Sequence, residues 1–341
     1  MFTKSRKLQN FLFLFIILLI PLLFTACSSF SVPAEYKFPT PVLQNLADPF
    51  ILTASDGNYY MYGTGTNHAT GGGFRSWSST DLENWTAEGL AFTFQRGNWG
   101  LRDFWAPEVL EHNGSYYMFY TARNREGTLL IGIAKADHPT GPFIDEYNEP
   151  LIDLGYAVID PSPFVDDDGR VYLYYSRDIS ENYVGNGINR SDIYVLELDT
   201  ITLKPISEPI FLFSPSQDWE MLPIQENWYW NEGPTVIKVA DTYYMTYSGN
   251  PYYSFEYAIG VATSSSPIGT FTKNENNPML QGSTTQNISG PGHNNIFKSH
   301  DGSKTYIVYH THINPEVGGG EREVRISQVE FVDGYMNLIT R

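Results

Sequence analysis

One pattern recurs five times along the chain, and it constrains the fold more than any other feature of the sequence. Each copy consists of an apolar segment, a turn and a second apolar segment rich in tyrosine. The copies read "DPFILTASDGNYYMYGTG" from Asp48, "APEVLEHNGSYYMFYTAR" from Ala106, "DPSPFVDDDGRVYLYYSRD" from Asp160, "EGPTVIKVADTYYMTYSGN" from Glu232 and "GHNNIFKSHDGSKTYIVYHTH" from Gly292. All but the fourth turn through Asp-Gly or Asn-Gly, as hairpins require, because Gly takes a positive φ without a Cβ clash. Each copy therefore predicts two adjacent antiparallel strands.

The spacing of the copies predicts a β-propeller. Successive copies start 54 to 72 residues apart, which is the length of a blade of about four short strands. Runs such as "YYMYG" and "VYLYYS" are apolar or aromatic on both alternating faces, as in a sheet that is covered on both sides. No segment after residue 41 shows a sustained helical period. We predict an all-β fold, a five-bladed β-propeller that occupies residues 41–341.

Length and charge narrow the classes of partner. The chain has 341 residues, 42% of them hydrophobic, which is enough for one large all-β domain. Its formal net charge is −17, whereas proteins that bind nucleic acid need clustered Lys and Arg to displace counterions. We expect a monomer with no nucleic-acid partner.

The N-terminal segment has the pattern of an export signal. Basic residues precede the apolar run "FLFLFIILLIPLLF", which is short and interrupted by Pro, and residues 1–26 are predicted to be a signal peptide. The run ends at "LFTAC", where Cys27 is the only cysteine of the chain. This stretch resembles a bacterial lipoprotein signal, in which the Cys becomes lipidated, and residues 27–40 then form a tether. Ordinary secretion with an unmodified Cys is the alternative. We expect an exported cell-envelope lipoprotein that meets the membrane only through its lipid anchor.

Three carboxylates stand at the starts of three copies: Asp48, Asp160 and Glu232. The innermost strands of a propeller converge on its axis, so equivalent strand starts from different blades meet at one end of the channel. His293 lies near the corresponding position of another copy. Like charges in a small cleft raise one pKa and so supply a proton donor beside a carboxylate base, which is what glycoside hydrolysis needs. Asp-Pro is also a common turn opener, so Asp48 or Asp160 taken singly has a structural interpretation, whereas Glu232 has none.

Five ordered motifs together resemble glycoside hydrolase family 43. They are "LADPFIL", "FWAPEV", "VIDPSPFVDDDGRVYLYYS", "WNEGPTVIK…YYMTYSGN…YAIGVATSSSPIGTF" and "SGPGHNNIFKSHDG", and the resemblance spans residues 45 to about 332. It implies an inverting hydrolase of arabinose- and xylose-containing polysaccharides, with Asp48 as general base, Glu232 as general acid, and Asp160 as the carboxylate that tunes the acid and orients the sugar. It also implies that no cofactor is required and that His293 sits deep in the channel beside water or a bound calcium ion.

Two further residues are candidates for binding the sugar. Trp105, in "FWAPE", is expected to be an aromatic wall of the sugar site, with a buried core Trp as the alternative. Arg322, in "GGGEREVRI", is a candidate to bind a sugar hydroxyl or Asp160, because the family often has an Arg near this point; a surface Arg in a Gly-rich loop is the alternative.

The predicted function is that of an exo-acting α-L-arabinofuranosidase or β-xylosidase. Two long Gly-rich loops, "TNHATGGGFRSWSS" and "NPEVGGGERE", favour a cleft that is closed at one end. The alternatives are an endo-α-1,5-arabinanase and a non-catalytic glycan-binding propeller. Retaining fructosidases are a related clan, but they resemble Arg-Asp-Pro and Glu-Cys where this chain reads "IDP" and "EGP". A protein-interaction propeller would lack both the carboxylates and the aromatic wall.

Overall fold

The computed structural model describes residues 36–65 and 72–339, and five of its sheets each contain four strands in chain order, with an insertion in the third sheet. Blade one comprises β2 (Leu46–Thr53), β3 (Tyr59–Gly65), β4 (Gly73–Ser79) and β5 (Thr86–Thr93). Blade two comprises β6 (Arg102–His112), β7 (Ser115–Arg123), β8 (Leu129–Ala136) and β9 (Ile144–Asp145). Blade three comprises β10 (Val158–Val165), β11 (Val171–Arg177), β14 (Asp192–Leu198) and β15 (Ile210–Phe213). Blade four comprises β17 (Asn231–Val239), β18 (Thr242–Gly249), β19 (Ala258–Ser264) and β20 (Thr272–Lys273). Blade five comprises β21 (Gly292–Lys298), β22 (Thr305–His312), β23 (Arg322–Val332) and β24 (Tyr335–Ile339).

The first strands of the five sheets form a closed ring. Each packs against the first strands of both neighbouring sheets, in the order β2, β6, β10, β17, β21 and back to β2. A short N-terminal strand, β1 (Leu43–Gln44), pairs with β23 and so ties the start of the chain to the last blade. The prediction of an all-β propeller is confirmed, and the five sheets agree with five blades.

Hydrophobic clusters fill the spaces between neighbouring sheets, one for each interface around the ring. The run Tyr59–Tyr62 in β3 explains how a single strand serves two of them. Tyr60 and Tyr62 point into the cluster shared with blade two, while Tyr59 and Met61 point into the cluster shared with blade five. Successive side chains of a strand alternate between faces, so a blade covered on both faces must be apolar at every position.

One addition interrupts the regular order of strands. Between β11 and β14 the chain forms a 3₁₀ turn (Ile179–Glu181) and the hairpin of β12 (Tyr183–Gly185) and β13 (Ile188–Arg190). β13 pairs in parallel with β16 (Trp228–Tyr229), which lies just before blade four. We call this three-stranded unit the rim sheet. A second 3₁₀ turn (Asp218–Glu220) precedes β16. These additions account for the longest interval between copies of the repeat, from Asp160 to Glu232.

The packed domain starts before the predicted boundary at residue 41. Tyr36 and Phe38 pack on the cluster between blades four and five, and the Phe38 N–H donates to Gln286 Oε1 at 3.0 Å. The end of the predicted tether therefore belongs to the folded unit. The predicted signal peptide and Cys27 lie outside the described residues. Across residues 36–65 and 72–339, no helix has the length and hydropathy needed to cross a membrane.

Candidate active site

Each first strand of a blade has a residue in the left-handed region at the same place in the repeat, and β6 has a second one, Asp103, closer to its start. These five residues, which we call the ring positions, are Asp48 (φ 49°), Ala106 (φ 45°), Asp160 (φ 57°), Gly233 (φ 57°) and His293 (φ 43°). At each of them the pairing register with the second strand of the blade shifts. A shift of this kind bends the strand and turns one side chain out of the regular alternation. The repeat therefore bends the first strand of every blade at the same place, and three of the five ring positions, Asp48, Asp160 and His293, contribute side chains to one pocket.

The ring positions correct the predicted alignment of the repeat. The sequence pattern predicts that the fourth and fifth copies begin at Glu232 and Gly292, but the residues equivalent to Asp48 and Asp160 are Gly233 and His293. Glu232 therefore lies one residue before the ring position of its blade, whereas Asp48 and Asp160 occupy the ring positions of theirs. Gly233 keeps the ring position open beside His293, since a Cβ on Gly233 would lie 3.2 Å from His293 Nδ1.

The backbone N–H groups of four ring positions are bound by a side chain of the preceding blade. The bonds run from Ala106 to Thr64 Oγ1 (2.8 Å), from Asp160 to Thr121 Oγ1 (3.0 Å), from His293 to Ser248 Oγ (2.8 Å) and from Asp48 to His310 Nδ1 (3.1 Å). All four acceptors occupy the same place in the second strand of their blade. These bonds satisfy buried backbone donors and lock neighbouring blades together at the level of the site.

Blade four breaks this rule. The Gly233 N–H donates to Asp160 Oδ2 at 3.0 Å, although Ser176 holds the equivalent place in blade three. Ser176 Oγ is instead buried without a hydrogen-bond partner among the described residues. The carboxylate of Asp160 thus takes over a structural bond and is fixed directly to the residue that follows Glu232.

Glu232 is a partly buried carboxyl with one hydrogen-bond donor of its own. The Tyr257 hydroxyl donates to Glu232 Oε1 at 2.8 Å. Burial is the main cause that raises the pKa of Glu232 to about 8; the Tyr257 hydrogen bond and the charge of Arg322 oppose the rise, and the charges of Asp178 and Asp48 add to it. Glu232 therefore holds a proton at neutral pH, as a general acid must.

Asp160 also has a raised pKa. It is 7% exposed, and this burial raises its pKa to about 7, against the opposing effects of the His293 ring and the Gly233 N–H. The charges of Glu232 and Asp48 act in the same direction as burial. The sequence predicted one raised pKa among the three carboxylates, whereas the structure raises two.

Asp48 lies between two imidazoles. Its Oδ1 is 3.5 Å from His293 Nδ1 and 3.5 Å from His310 Nδ1. Burial holds the pKa of His310 well below its usual range, so this ring is neutral, and its Nδ1 accepts the Asp48 N–H. The contact with His310 orients the backbone of Asp48 and does not form an ion pair.

One pocket of about 300 Å³ contains all six residues predicted from the sequence. They are Asp48, Trp105, Asp160, Glu232, His293 and Arg322. Trp105 is a partly exposed wall of this pocket, with the Arg123 guanidinium 6.0 Å from the centre of its ring. Arg322 lies over the Tyr252 ring at 5.1 Å, and no ion pair joins it to Asp160 in the part of the chain that the structure describes.

The side chains near His293 do not fit a calcium ion. Calcium takes six to eight oxygen ligands, and carboxylates usually supply several of them. Within residues 36–65 and 72–339, no three or more His, Cys, Asp or Glu side chains are grouped so that they could hold a metal. His293 faces Asp48 across 3.5 Å and contributes nitrogen.

Sequence reasoning missed several residues of the pocket. Asp178, Ser180 and Trp230 come from the segments next to the rim sheet, and Tyr252 follows β18. No repeat places these residues, because within residues 36–65 and 72–339 no other blade has a counterpart of the rim sheet. The only signal in the sequence was the long interval between the third and fourth copies. No sequence pattern indicated that Tyr257 donates a hydrogen bond to Glu232.

Comparison with known proteins agrees with this architecture. Residues 38–336 match the family model described as glycosyl hydrolases family 43. The crystal structure of a thermostable family-43 glycoside hydrolase superimposes with a TM-score of 0.82 and 42% identity, over 89% of this chain and 95% of that one.

Curated relatives have different named activities. The β-D-galactofuranosidase xynD of Aspergillus niger is 29% identical over 76% of this chain and 71% of its own length. The extracellular endo-α-(1→5)-L-arabinanase 2 of Bacillus subtilis is 27% identical over 88% of this chain and 72% of its own. Other relatives are named as a β-xylosidase and an exo-α-(1→5)-L-arabinofuranosidase.

Proposed function

The chain belongs to glycosyl hydrolase family 43, and we propose that it is an exo-acting, inverting enzyme that releases arabinose or xylose from polysaccharides or oligosaccharides. One observation carries the proposal: three carboxylates from three different blades line a single pocket, and burial raises the pKa of two of them. A group that must give up a proton and a group that must accept one are thereby placed around the same small volume.

Glu232 acts as the general acid in this proposal. With a pKa of about 8 it is protonated at neutral pH and can protonate the leaving oxygen as the glycosidic bond breaks. The Tyr257 hydroxyl holds Oε1, so the carboxyl has a fixed orientation before substrate arrives. After the step the same hydroxyl stabilises the carboxylate that remains.

Asp48 acts as the general base. It stands on blade one, whereas Glu232 stands on blade four, so the two carboxyls approach the pocket from separate strands of the ring. In an inverting reaction the base takes a proton from a water molecule on the face of the sugar opposite the leaving group. The imidazoles of His293 and His310, each 3.5 Å from Asp48 Oδ1, restrict the orientation of the Asp48 carboxylate.

Asp160 orients the substrate and couples it to the acid. One of its oxygens holds the Gly233 N–H, which fixes the backbone next to Glu232, while the carboxyl lines the pocket and can bind a sugar hydroxyl. Asp160 and Glu232 also interact electrostatically. A negative charge on Glu232 raises the pKa of Asp160, so the two carboxyls do not ionise independently.

The shape of the site supports exo action. A pocket of about 300 Å³ is at the lower end for small-ligand sites and suits a terminal sugar better than a continuous chain. Part of the loop "NPEVGGGERE" packs against the neighbour of the pocket residue Tyr252, since a Cβ on Gly318 would lie 2.3 Å from the Tyr253 carbonyl oxygen. The other Gly-rich loop includes residues 66–71, which lie outside the described residues.

Product analysis tests the substrate class. The protein should release monosaccharide from at least one of debranched arabinan, arabinoxylan and xylo-oligosaccharides, and should hydrolyse the matching aryl α-L-arabinofuranoside or aryl β-xyloside. Oligomeric products would favour the endo-arabinanase alternative. An aryl β-D-galactofuranoside belongs in the same panel, because this sugar has the ring configuration of α-L-arabinofuranose and the A. niger relative is named for it.

Sugar binding measured in parallel separates an enzyme from a lectin. Binding of arabino- or xylo-oligosaccharides without turnover of any of these substrates would favour the glycan-binding alternative and contradict the proposal.

We also propose that the protein is exported and anchored through a lipidated Cys27. The full chain should then partition with membranes, while Cys27→Ser should be recovered soluble, since the propeller itself is strongly acidic. Equal partitioning of the two forms would contradict the lipoprotein proposal.

A further inference from the structure

The rim sheet and the segments that flank it add side chains to the pocket that the five-fold repeat does not provide. Asp178 and Ser180 follow the end of β11, and Trp230 follows β16. The rim sheet pairs β13 with β16, so these two parts of the chain are held together beside the site. The pocket therefore has one wall that belongs to no blade.

Asp178 has a fixed backbone and one carboxylate oxygen without a partner. Its N–H donates to the Ala157 carbonyl at 2.9 Å. Its Oδ1 accepts the Ser180 N–H at 3.0 Å and also the Ser180 hydroxyl. Among the described residues no hydrogen bond reaches Oδ2. A rigidly held carboxylate oxygen that borders a sugar-sized pocket is an acceptor for a ligand hydroxyl.

The neighbours of Asp178 place it on the side of the acid. Among the surrounding charges, Asp178 is the first to raise the pKa of Glu232, ahead of Asp48. Trp230 lies two residues before Glu232 and is partly exposed. Two other lining residues, Trp105 and Arg123, come from blade two. Because an inverting enzyme keeps its acid on the leaving-group side, the wall next to Glu232 faces the leaving group.

We propose that Asp178 is a specificity-determining residue that accepts a hydrogen bond from a hydroxyl of the leaving-group sugar, whose ring packs against Trp230. This inference rests on the proposed function. A leaving sugar can use both contacts, whereas a nitrophenyl leaving group has no hydroxyl to donate. Asp178 thus favours natural oligosaccharides over aryl glycosides of the same sugar.

The position of Asp178 also has an electrostatic consequence. The groups that bear on the pKa of Glu232 are Asp178 from the end of β11, Asp48 from β2, Tyr257 before β19 and Arg322 from β23. Asp160 from β10 also interacts with Glu232, whose charge raises the pKa of Asp160. Removing the negative charge of Asp178 lowers the pKa of Glu232, so the alkaline limb of the activity profile moves to lower pH. Removing the Tyr257 hydroxyl takes away a hydrogen bond that favours the charged form, and the limb moves to higher pH.

The test compares Asp178→Asn with wild type on α-1,5-L-arabinobiose and on 4-nitrophenyl α-L-arabinofuranoside. Asn preserves the acceptor for Ser180 but loses the charge. At pH 5 to 6 we expect kcat/KM to fall about 10-fold on arabinobiose and less than about 2-fold on the aryl glycoside, the scale of one hydrogen bond to a charged group. The alkaline limb should move to lower pH in Asp178→Asn and to higher pH in Tyr257→Phe.

Asp199→Asn is the matched control, because Asp199 is a partly exposed turn carboxylate that accepts the Thr202 N–H at 2.7 Å and does not line the pocket. Equal losses on both substrates, or an unmoved alkaline limb, would overturn the role of Asp178. A merely structural role would change both substrates and the thermal melt together.

A second readout does not depend on turnover. The Glu232 carboxyl can be titrated by ¹³C NMR, assigned with Glu232→Gln, and its midpoint should be lower in Asp178→Asn than in wild type and Asp199→Asn. A lower midpoint in a protein that hydrolyses neither arabinosides nor xylosides would support the placement of Asp178 and overturn the proposed function. An unchanged midpoint in an active enzyme would overturn this inference alone.

Discussion

The ring positions and the rim sheet line the same pocket but are built in different ways. The ring repeats one backbone feature in all five blades, a left-handed residue at a register shift, and four of its N–H groups are bound in the same manner. Within the described residues the rim sheet occurs once, and the segments that flank it contribute Asp178, Ser180 and Trp230. A rigid repeated scaffold suits groups that must be placed to within fractions of an ångström, while a single insertion can vary without disturbing the core. We therefore expect ring substitutions to affect the chemical step and rim substitutions to affect the choice of leaving group.

The largest effect is expected at Asp48. Asp48→Asn removes the base that activates water, so kcat should fall by roughly 10²-fold to 10⁴-fold on oligosaccharide and aryl glycoside alike. The backbone bond to His310 is unaffected by this change, so the thermal melt should stay close to that of wild type. Steady-state kinetics on both substrates provide the measurement. A loss confined to the oligosaccharide would assign Asp48 to the leaving group and break the division between ring and rim.

Glu232→Gln should affect the two substrates unequally. Gln keeps the shape but not the proton, and a sugar alkoxide needs protonation whereas a dinitrophenolate hardly does. The expected loss is roughly 10²-fold to 10⁴-fold on oligosaccharide and much smaller on a dinitrophenyl glycoside. Native activity on oligosaccharide, or equal losses on both with an intact fold, would exclude Glu232 as the acid.

Gly292→Ala tests whether the ring also positions the acid. A Cβ on Gly292 would lie 2.1 Å from Tyr257 Cε1. The aromatic ring of Tyr257 must therefore move, and its hydroxyl loses the hydrogen bond to Glu232. We expect kcat on oligosaccharide to fall about 10-fold, the scale of one charge-assisted hydrogen bond. Tyr257→Phe and the double variant complete the cycle. If the two losses add, Gly292 acts by a route other than Tyr257.

The smallest effect concerns the pH dependence of thermal stability, which we expect to change at the buried residue Glu108. Burial raises the pKa of Glu108 well above its usual range, and Asp160 adds to the rise. A carboxyl whose folded pKa is raised binds its proton more tightly in the folded state. Its contribution therefore declines as pH rises from the unfolded pKa through the folded one. Glu108→Gln should accordingly raise Tm by about 2 °C or more at pH 8.5, by the usual relation of free energy to Tm, and by less at pH 5. Scanning calorimetry at the two pH values measures this, and an equal change at both would contradict the titration.

The same contrast explains what the sequence could predict. Turn signals and two-sided apolar strands were enough for the propeller, because these features repeat and each copy supports the others. The register of the fourth and fifth copies was wrong by one residue, although Pro49, Pro107, Pro161 and Pro234 marked the ring positions of four blades. The acidic residue coincides with the ring position in blades one and three, but in blade four Glu232 comes one residue before it.

The residues of the rim could not be predicted from the sequence for a physical reason. Asp178 and Trp230 are 52 residues apart and reach the pocket only because β13 pairs with β16 outside the repeat. The pairing of Glu232 with Tyr257 depends on a close approach across Gly292, which local sequence does not encode. A repeat in the sequence predicts contacts that recur in every blade, but it does not predict contacts that occur in one blade.

The central claim is a single displacement, with Asp48 activating water and Glu232 protonating the leaving group. Proton NMR of the first product released from an aryl glycoside, recorded before mutarotation, tests it most directly. The account predicts a product whose anomeric configuration is inverted relative to the substrate. A first product of retained configuration would mean that a carboxylate attacks the sugar itself, and would contradict the assignment of Asp48 as a base.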